Sequence, residues 1–173
     1  MRLGLVGAAT AALLLAGCGS PADGAGSGGT QAAAAQPAAI GEVIRVGDVE
    51  YTIKSVEQVQ SVGDNPYLRR TASDGGTFVV VTFTVKNAGT RPVEFYDQAT
   101  MHLVDANGVE YSSDPDATSA YQMGSNIDVV SFADINPGIS VNDADVYQVS
   151  AEAFDLATWS VQIRGADRRA ALR

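Results

Sequence analysis

The stretch Thr77-Phe-Val-Val-Val-Thr-Phe-Thr-Val-Lys86 decides the fold, because it is dense in β-branched and aromatic residues. Alternate side chains share one face of a strand, and one face carries four consecutive apolar side chains: Val79, Val81, Phe83 and Val85. Phe78 and Val80 lie on the opposite face, at one end of the stretch. This pattern predicts a central strand that is covered on both faces at that end.

Two shorter segments show the same alternation and predict half-buried strands. Their apolar positions are Val49, Tyr51 and Ile53 in the first segment and Trp159, Val161 and Ile163 in the second. Turns rich in Gly and Asn separate the runs, and the turn 105–108 lies inside a hairpin predicted for Met101 to Tyr111. About seven or eight short strands without a long amphipathic helix predict an all-β fold, an antiparallel β-sandwich.

The segment 141–149 does not fit simple alternation. If its apolar side chains face the core, strict alternation also turns Asp143 and Asp145 inward, where unpaired carboxylates are costly. A bulge between Asn142 and Ala144 would reverse the phase and return the aspartates to solvent. The other interpretation is that the two aspartates line a site, and the sequence leaves both interpretations open.

Core and turn residues follow one another in a characteristic order across the folded region. The order is Val46-Gly-Asp48, Tyr51-Thr-Ile53, Phe78-Val-Val-Val81, Val85-Lys-Asn-Ala-Gly89, Leu103-Val-Asp105, Gly108, Tyr111, Asn136-Pro-Gly138 and Tyr147. It resembles a bacterial family of extracytoplasmic immunoglobulin-like domains that includes the secreted immunogenic protein of mycobacteria and many lipoproteins. The resemblance spans Glu42 to Ile163 and implies an immunoglobulin-like sandwich with no established enzymatic role and no catalytic residues to transfer.

The first residues predict export. Arg2 precedes the uncharged apolar run 3–17, which is shorter than the about 20 residues that a transmembrane helix needs. Leu15-Ala-Gly-Cys18 resembles the bacterial lipobox, in which the cysteine is acylated and becomes the mature N-terminus. We therefore expect 1–17 to be a signal peptide and Cys18 to carry the lipid that anchors the protein on the extracytoplasmic face of the cell membrane. The alternative is an ordinary secretory signal in which Cys18 is incidental.

Composition divides the rest of the chain. Residues 19–39 are almost entirely Gly, Ala, Ser, Pro, Gln and Thr, so 18–39 are expected to be a lipidated, flexible linker. The sandwich is predicted over 40–165, and 166–173 are expected to form a frayed, solvated tail. The formal net charge of −9 opposes binding to nucleic acid, so no nucleic-acid partner is expected.

Patterns for catalysis and metal binding are weak. His102 is the only histidine and is predicted to be an ordinary strand residue; neither Gly-x-Ser-x-Gly nor His-Glu-x-x-His occurs, so no enzymatic activity is expected. Paired carboxylates are the candidate ligands for calcium: Asp114, Asp116, Asp143 and Asp145. Solvated surface charge explains these residues as well, and no cofactor is expected beyond the lipid on Cys18. An envelope hydrolase would need an acid pair about 5 to 10 Å apart in a cleft.

Two loops are candidates for recognition, because loops on a rigid sandwich commonly carry binding residues. They span 58–76 and 111–132. The first contains Tyr67, Arg69 and Arg70, and the second contains Tyr121 and Met123. Exposed tyrosine and arginine contribute strongly to interfaces. Tyr111 and Phe132 have another interpretation, which is closure of the open end of the sandwich.

The leading hypothesis from the sequence is a non-enzymatic, membrane-anchored domain that recognises a protein or cell-envelope component through these loops. It is favoured by the lipobox, the linker and the lack of catalytic motifs. The alternative is an envelope protein that binds a small ligand or calcium through its acidic pairs.

Overall fold

The computed structural model describes residues 36–125, 127 and 133–173. The predictions for the signal peptide, for Cys18 and for most of the linker concern residues outside these ranges, as does the one for Phe132. Among the described residues, strands predominate, and no helix is long and apolar enough to cross a membrane.

Ten strands, one α-helix and one short 3-10 helix follow one another along the described chain. The strands are β1 (Val43–Val46), β2 (Val49–Val59), β3 (Ser61–Val62), β4 (Arg70–Thr71), β5 (Gly76–Asn87), β6 (Met101–Val104), β7 (Glu110–Tyr111), β8 (Ser140–Ser150), β9 (Ser160–Ile163) and β10 (Ala170–Ala171). The helices are the 3-10 helix Phe95–Asp97 and α1 (Pro115–Gly124). Paired strands are antiparallel, which confirms the predicted all-β sandwich. The strands outnumber the prediction because β3, β4, β7 and β10 are only two residues long.

Two four-stranded sheets enclose the main core. One has the order β1-β2-β5-β8 and the other the order β10-β9-β6-β7, while β3 and β4 form a separate pair. The predicted inner face of β5 is buried between the sheets: Val79, Val81, Phe83 and Val85. The predicted hairpin from Met101 to Tyr111 is confirmed, since Leu103 of β6 pairs with Tyr111 of β7.

Helix α1 covers the other face of β5. Six buried side chains fill this second layer: Val62, Phe78, Val80, Ala117, Ala120 and Val146. Asp114 caps the helix, because its carboxylate accepts a hydrogen bond of 3.0 Å from the backbone N–H of Ala117. The prediction of a loop over 111–132 is therefore wrong for 115–124. The helix escapes a periodicity search because only two small alanines bury its inner face.

The phase of β8 decides where its two aspartates point. This strand pairs with β5 in one continuous antiparallel register over 140–150. The bulge considered at 142–144 is therefore wrong, and Asp143 and Asp145 keep the inward phase. Helix α1 enforces this phase, because it buries Val146 on the alternate face of the same strand.

The C-terminal residues belong to the second sheet. Ala170 of β10 pairs with Val161 of β9, and Leu172 is only 2% exposed. Ala38 forms a parallel bridge with Ala170 and is fully buried. The predicted frayed tail over 166–173 is therefore wrong, and the fold begins before residue 40. The sequence did not indicate this strand, because two residues are too few to show periodicity. The neighbouring arginines also give the segment the composition of a solvent-exposed terminus.

Candidate functional site

A cleft of about 290 Å³ combines residues from several parts of the chain. It is lined by β2, β5, β8, the segment 95–101 and Ser113, and the lining residues with polar or aromatic groups include Tyr51, Phe95, Tyr96, Ser113, Asp143 and Asp145. The two aspartates that the sequence left unexplained therefore line a cavity. This outcome agrees with the second of the two interpretations drawn from the sequence.

Asp143 and Asp145 have different hydrogen-bond partners. Oδ1 of Asp143 accepts bonds of 2.7 Å from Nε2 of Gln122 and from the backbone N–H of Ala144. Oδ2 of Asp145 accepts a bond of 3.3 Å from the hydroxyl of Tyr147. One oxygen of each carboxylate thus has a donor within the protein.

Burial shifts the ionisation of this group of residues. It raises the pKa of Asp143, although the bonds from Ala144 and Gln122 oppose the rise. Burial, and then repulsion by Asp143, raise the pKa of Asp145 from 3.8 to about 6. Burial and the neighbouring Asp145 also raise the pKa of Tyr147, so that its hydroxyl keeps its proton and acts as a donor.

Aromatic residues also line the cleft. The hydroxyl of Tyr51 accepts a hydrogen bond of 2.7 Å from the backbone N–H of Ala99, which ties the segment 95–101 to β2. Burial raises the pKa of Tyr51. The rings of Phe95 and Tyr96 meet edge to face with centroids 5.3 Å apart, and Tyr96 is 81% exposed. An accessible ring and two inward carboxylates therefore share one cavity.

A second candidate surface lies on the α1 side of the sandwich. Gly63, which follows β3, has a φ of +90°, and a Cβ there would lie 3.2 Å from the carbonyl oxygen of Ala120. A Cβ on Gly124 would lie 2.8 Å from the backbone nitrogen of Asp64. The loop of the β3–β4 hairpin is therefore packed against the C-terminal end of α1. We call this surface, formed by residues 61–71 and 115–125, the hairpin–helix face.

The structure brings together parts of the two loops that the sequence singled out, because residues 61–71 of the first and 115–125 of the second form the hairpin–helix face. Tyr67 is 92% exposed and Met123 is 70% exposed. Arg69 donates a bond of 3.3 Å from Nε to the carbonyl oxygen of Gly63, and Tyr121 packs against the buried cluster beneath α1. Arg70 lies in β4, and its guanidinium donates to the carbonyl oxygen of Leu68 at 3.2 Å.

The four carboxylates considered for calcium do not form one site. Asp114 is the cap of α1, and Asp116 is exposed in its first turn. Asp143 and Asp145 face the cleft instead. Among the residues that the structure describes, no three His, Cys, Asp or Glu side chains are grouped so that they could hold a metal ion. His102 of β6 contacts Arg164, with 3.1 Å between Nε2 and a guanidinium nitrogen.

The sequence patterns did not indicate the aromatic residues of the cleft, Phe95 and Tyr96, or the contact of Gln122 with Asp143. Phe95 and Tyr96 occur consecutively outside the long strands, which is a weak signal for an exposed aromatic pair. Gln122 had no signal, because its contact with Asp143 joins residues on different elements. Only the packing of α1 on β8 makes that contact.

The packed sheets define the protein as an antiparallel β-sandwich domain with one added helix. Residues 38–158 match the family described as a domain of unknown function, DUF4352, and the chain belongs to that family. It is 35% identical over 124 residues to the uncharacterized protein YxkC of Bacillus subtilis strain 168, across 71% of this chain and 68% of that protein.

Solved structures have the same fold. A conserved hypothetical protein from Bacillus anthracis is 25% identical, with a TM-score of 0.69 over 79% of this chain and 95% of that one. An uncharacterized β-sandwich protein from Clostridium difficile 630 is 18% identical, with a TM-score of 0.51 over 78% of this chain and 92% of that one. The sandwich is therefore the architecture shared with these proteins.

Proposed function

We propose that the protein is an exported lipoprotein whose sandwich recognises a protein partner through the hairpin–helix face. The observation that carries the proposal is the packing of residues 61–71 against residues 115–125, which gives one surface with Tyr67 and Met123 exposed on it. Tyrosine, methionine and arginine are enriched at protein interfaces. A tyrosine that is 92% exposed buries a large area only when a partner covers it.

The chemistry of this face favours a partner with acidic or polar contact groups. Arg69 and Arg70 lie on it in a chain whose net charge is −9. Guanidinium groups bind carboxylates in a fork-like geometry. A layer of buried side chains packs beneath α1, and a packed support limits the entropy that the face loses on binding.

The proposed location rests on the N-terminal sequence. The apolar run and the lipobox-like Leu15-Ala-Gly-Cys18 support export and acylation, and acyl chains hold a protein on the outer face of the membrane. The similarity to the mycobacterial immunogenic proteins stays a prediction. The Cys18→Ser substitution in the full-length protein is expected to remove the mass of the attached lipid from the protein and to move the protein out of the membrane fraction. An unchanged mass would contradict lipidation.

Recognition is tested with the full-length protein as bait for envelope proteins, followed by binding measurements with each purified partner. The Tyr67→Ala, Met123→Ala double variant is expected to weaken binding at least about tenfold with no loss of thermal stability, because both side chains are exposed. Ile139→Ala is the matched control, since it removes an exposed apolar side chain elsewhere. A partner that binds the double variant as tightly as the wild type would overturn the assignment of this face.

A small-ligand domain is the second candidate function. The cleft with its inward aspartates favours it, because a concave site with a few polar groups is typical of ligand binding. The two candidates use different surfaces that are joined by the hydrogen bond from Gln122 to Asp143, so variants of exposed residues outside that contact test each surface separately.

A further inference from the structure

We propose that the cleft binds the alkylammonium group of an organic cation, held by Asp143 and Asp145 and covered by the ring of Tyr96. This inference goes beyond the proposed recognition role and uses a different surface. An alkylammonium group occurs in free polyamines and in lysine side chains, and both present the same donor group to the cleft.

The negative charge of the two cleft aspartates is not balanced by a cation of the described residues. In the described part of the chain, the ion pairs involve Glu42 and Glu50, which pair with Arg168, Arg45 and Lys86. None of them involves the two aspartates of the cleft. Burying carboxylates without a cation is unfavourable, because the interior solvates their charge poorly. A cationic ligand would offset this cost.

Each cleft aspartate has one carboxylate oxygen left to accept hydrogen bonds from a ligand. Asp143 uses only Oδ1 for its bonds to Gln122 and Ala144, and Asp145 uses only Oδ2 for its bond from Tyr147. Oδ2 of Asp143 and Oδ1 of Asp145 accept no hydrogen bond from the described residues. An ammonium group carries three donors, so it can satisfy both oxygens at once.

The aromatic residues of the cleft also favour a cationic ligand. Phe95 and Tyr96 line the same cleft as the carboxylates, and Tyr96 is largely exposed. The face of an aromatic ring attracts a cation that lies within about 6 Å of its centre. Carboxylates and an accessible aromatic ring in one cavity are the combination that recognises an alkylammonium group.

Size and ligand number favour an organic cation over a metal ion. The cavity of about 290 Å³ is close to the lower limit of small-molecule sites, which accommodates one amine head group and part of its alkyl chain. Calcium takes about six to eight oxygen ligands. The described cleft offers two carboxylates and no grouping of three metal-ligating side chains.

The test is isothermal titration calorimetry of the full-length protein with four probes: spermidine, Nα-acetyl-lysine amide, its neutral analogue Nα-acetyl-norleucine amide, and calcium. Spermidine or the lysine amide is expected to bind, whereas the neutral analogue is not. Spermidine alone would identify a free polyamine as the source, and the lysine amide alone would identify a protein side chain. Binding of neither ammonium probe, or tighter binding of calcium than of both, would overturn the proposal.

Variants locate the site. Asp145→Asn is expected to weaken ammonium binding at least about tenfold, and Tyr96→Ala about threefold through loss of the ring. Asp74→Asn is the matched control, because Asp74 is exposed, lies outside the cleft and changes the net charge equally. Equal affinity of Asp145→Asn and the wild type would exclude the cleft.

Two further comparisons keep the conclusion independent of folding and of the proposed recognition role. Tyr96 is exposed, so its replacement tests the cleft even where a change at Asp145 perturbs the fold. The Tyr67→Ala, Met123→Ala double variant is expected to bind the ammonium probes as the wild type does. Loss of probe binding in that variant would contradict the separation of the two surfaces.

Discussion

Gln122 of α1 donates a hydrogen bond of 2.7 Å from Nε2 to Oδ1 of Asp143 on β8. The same nitrogen lies 3.2 Å from the carbonyl oxygen of Ala144, so one amide group bridges the helix and the strand. Gln122 belongs to the hairpin–helix face, and Asp143 belongs to the cleft. The two candidate surfaces therefore meet at this contact.

The Gln122→Ala substitution is expected to destabilise the protein by about 1 kcal/mol, because Asp143 then loses a hydrogen-bond donor while it stays partly buried. The pKa of Asp143 should rise further, since this hydrogen bond opposes the effect of burial. Denaturant unfolding measures the first effect, and carboxyl NMR titration measures the second. Gln58→Ala, on an exposed part of β2, is the control. Equal unfolding midpoints for the two variants would contradict the prediction.

Asp145 should make stability depend on pH. Its folded-state pKa of about 6 lies above the ordinary aspartate value of 3.8, so the native state binds the proton more tightly than the unfolded chain. The stabilisation is complete below about pH 4 and is lost as pH rises through about 6. Among the described residues, the other titratable groups that line the cleft or contact Asp145 are Asp143, Tyr51, Tyr96 and Tyr147. The raised pKa of Asp143 acts in the same direction, and the raised pKa values of Tyr51 and Tyr147 keep their hydroxyls protonated.

The corresponding variant is Asp145→Asn, which removes the charge and nearly keeps the shape. At pH 7 it is expected to stabilise the fold by roughly 1–3 kcal/mol and to flatten the decline between about pH 4 and 7. Urea unfolding at several pH values measures this, with Asp74→Asn as the control. A variant whose pH profile runs parallel to that of the wild type would refute the assignment to Asp145.

Asn87 should be essential for the turns at the end of β5. It is fully buried; its Nδ2 donates to the carbonyl oxygens of Arg91 and Ile135, both at 2.7 Å, and its Oδ1 accepts from the N–H of Gly89 at 2.9 Å. Asn87→Ala leaves these groups unsatisfied and should cost about 2–4 kcal/mol. Asn87→Asp should also destabilise, because it places a carboxylate opposite two carbonyl oxygens. Denaturant unfolding measures both variants, and midpoints near that of the wild type would disprove the structural role of Asn87.

Leu172 should contribute to the main core despite its position next to the C-terminal residue. Leu172→Ala is expected to destabilise the protein by about 2–4 kcal/mol, because the side chain is 2% exposed and its removal leaves a cavity. Leu156→Ala is the matched control, since Leu156 is 37% exposed. The melting temperatures of the two variants should therefore differ clearly, and similar values would show that the buried side chain of Leu172 is dispensable for stability.

Local sequence patterns correctly predicted the buried face where a long strand packs against the core. The alternation of 79–85 predicted which side chains of β5 face the second sheet, because a strand buried on its inner face must repeat every two residues. The same rule predicted the inward phase of Asp143 and Asp145 as one of two interpretations. It could not choose between them, since a bulge changes the phase without a distinctive sequence.

By itself, the sequence determined the all-β sandwich, the buried face of its central strand, and the N-terminal features that predict export. These follow from periodicity and composition, which neighbouring residues express without reference to the rest of the chain. Only the tertiary structure decided that 115–124 form a helix over β5, that the C-terminal residues complete a sheet, and that Asp143 and Asp145 share a cleft with Tyr96. Each of these depends on contacts between segments far apart in sequence, whose pairing follows from how the whole chain packs.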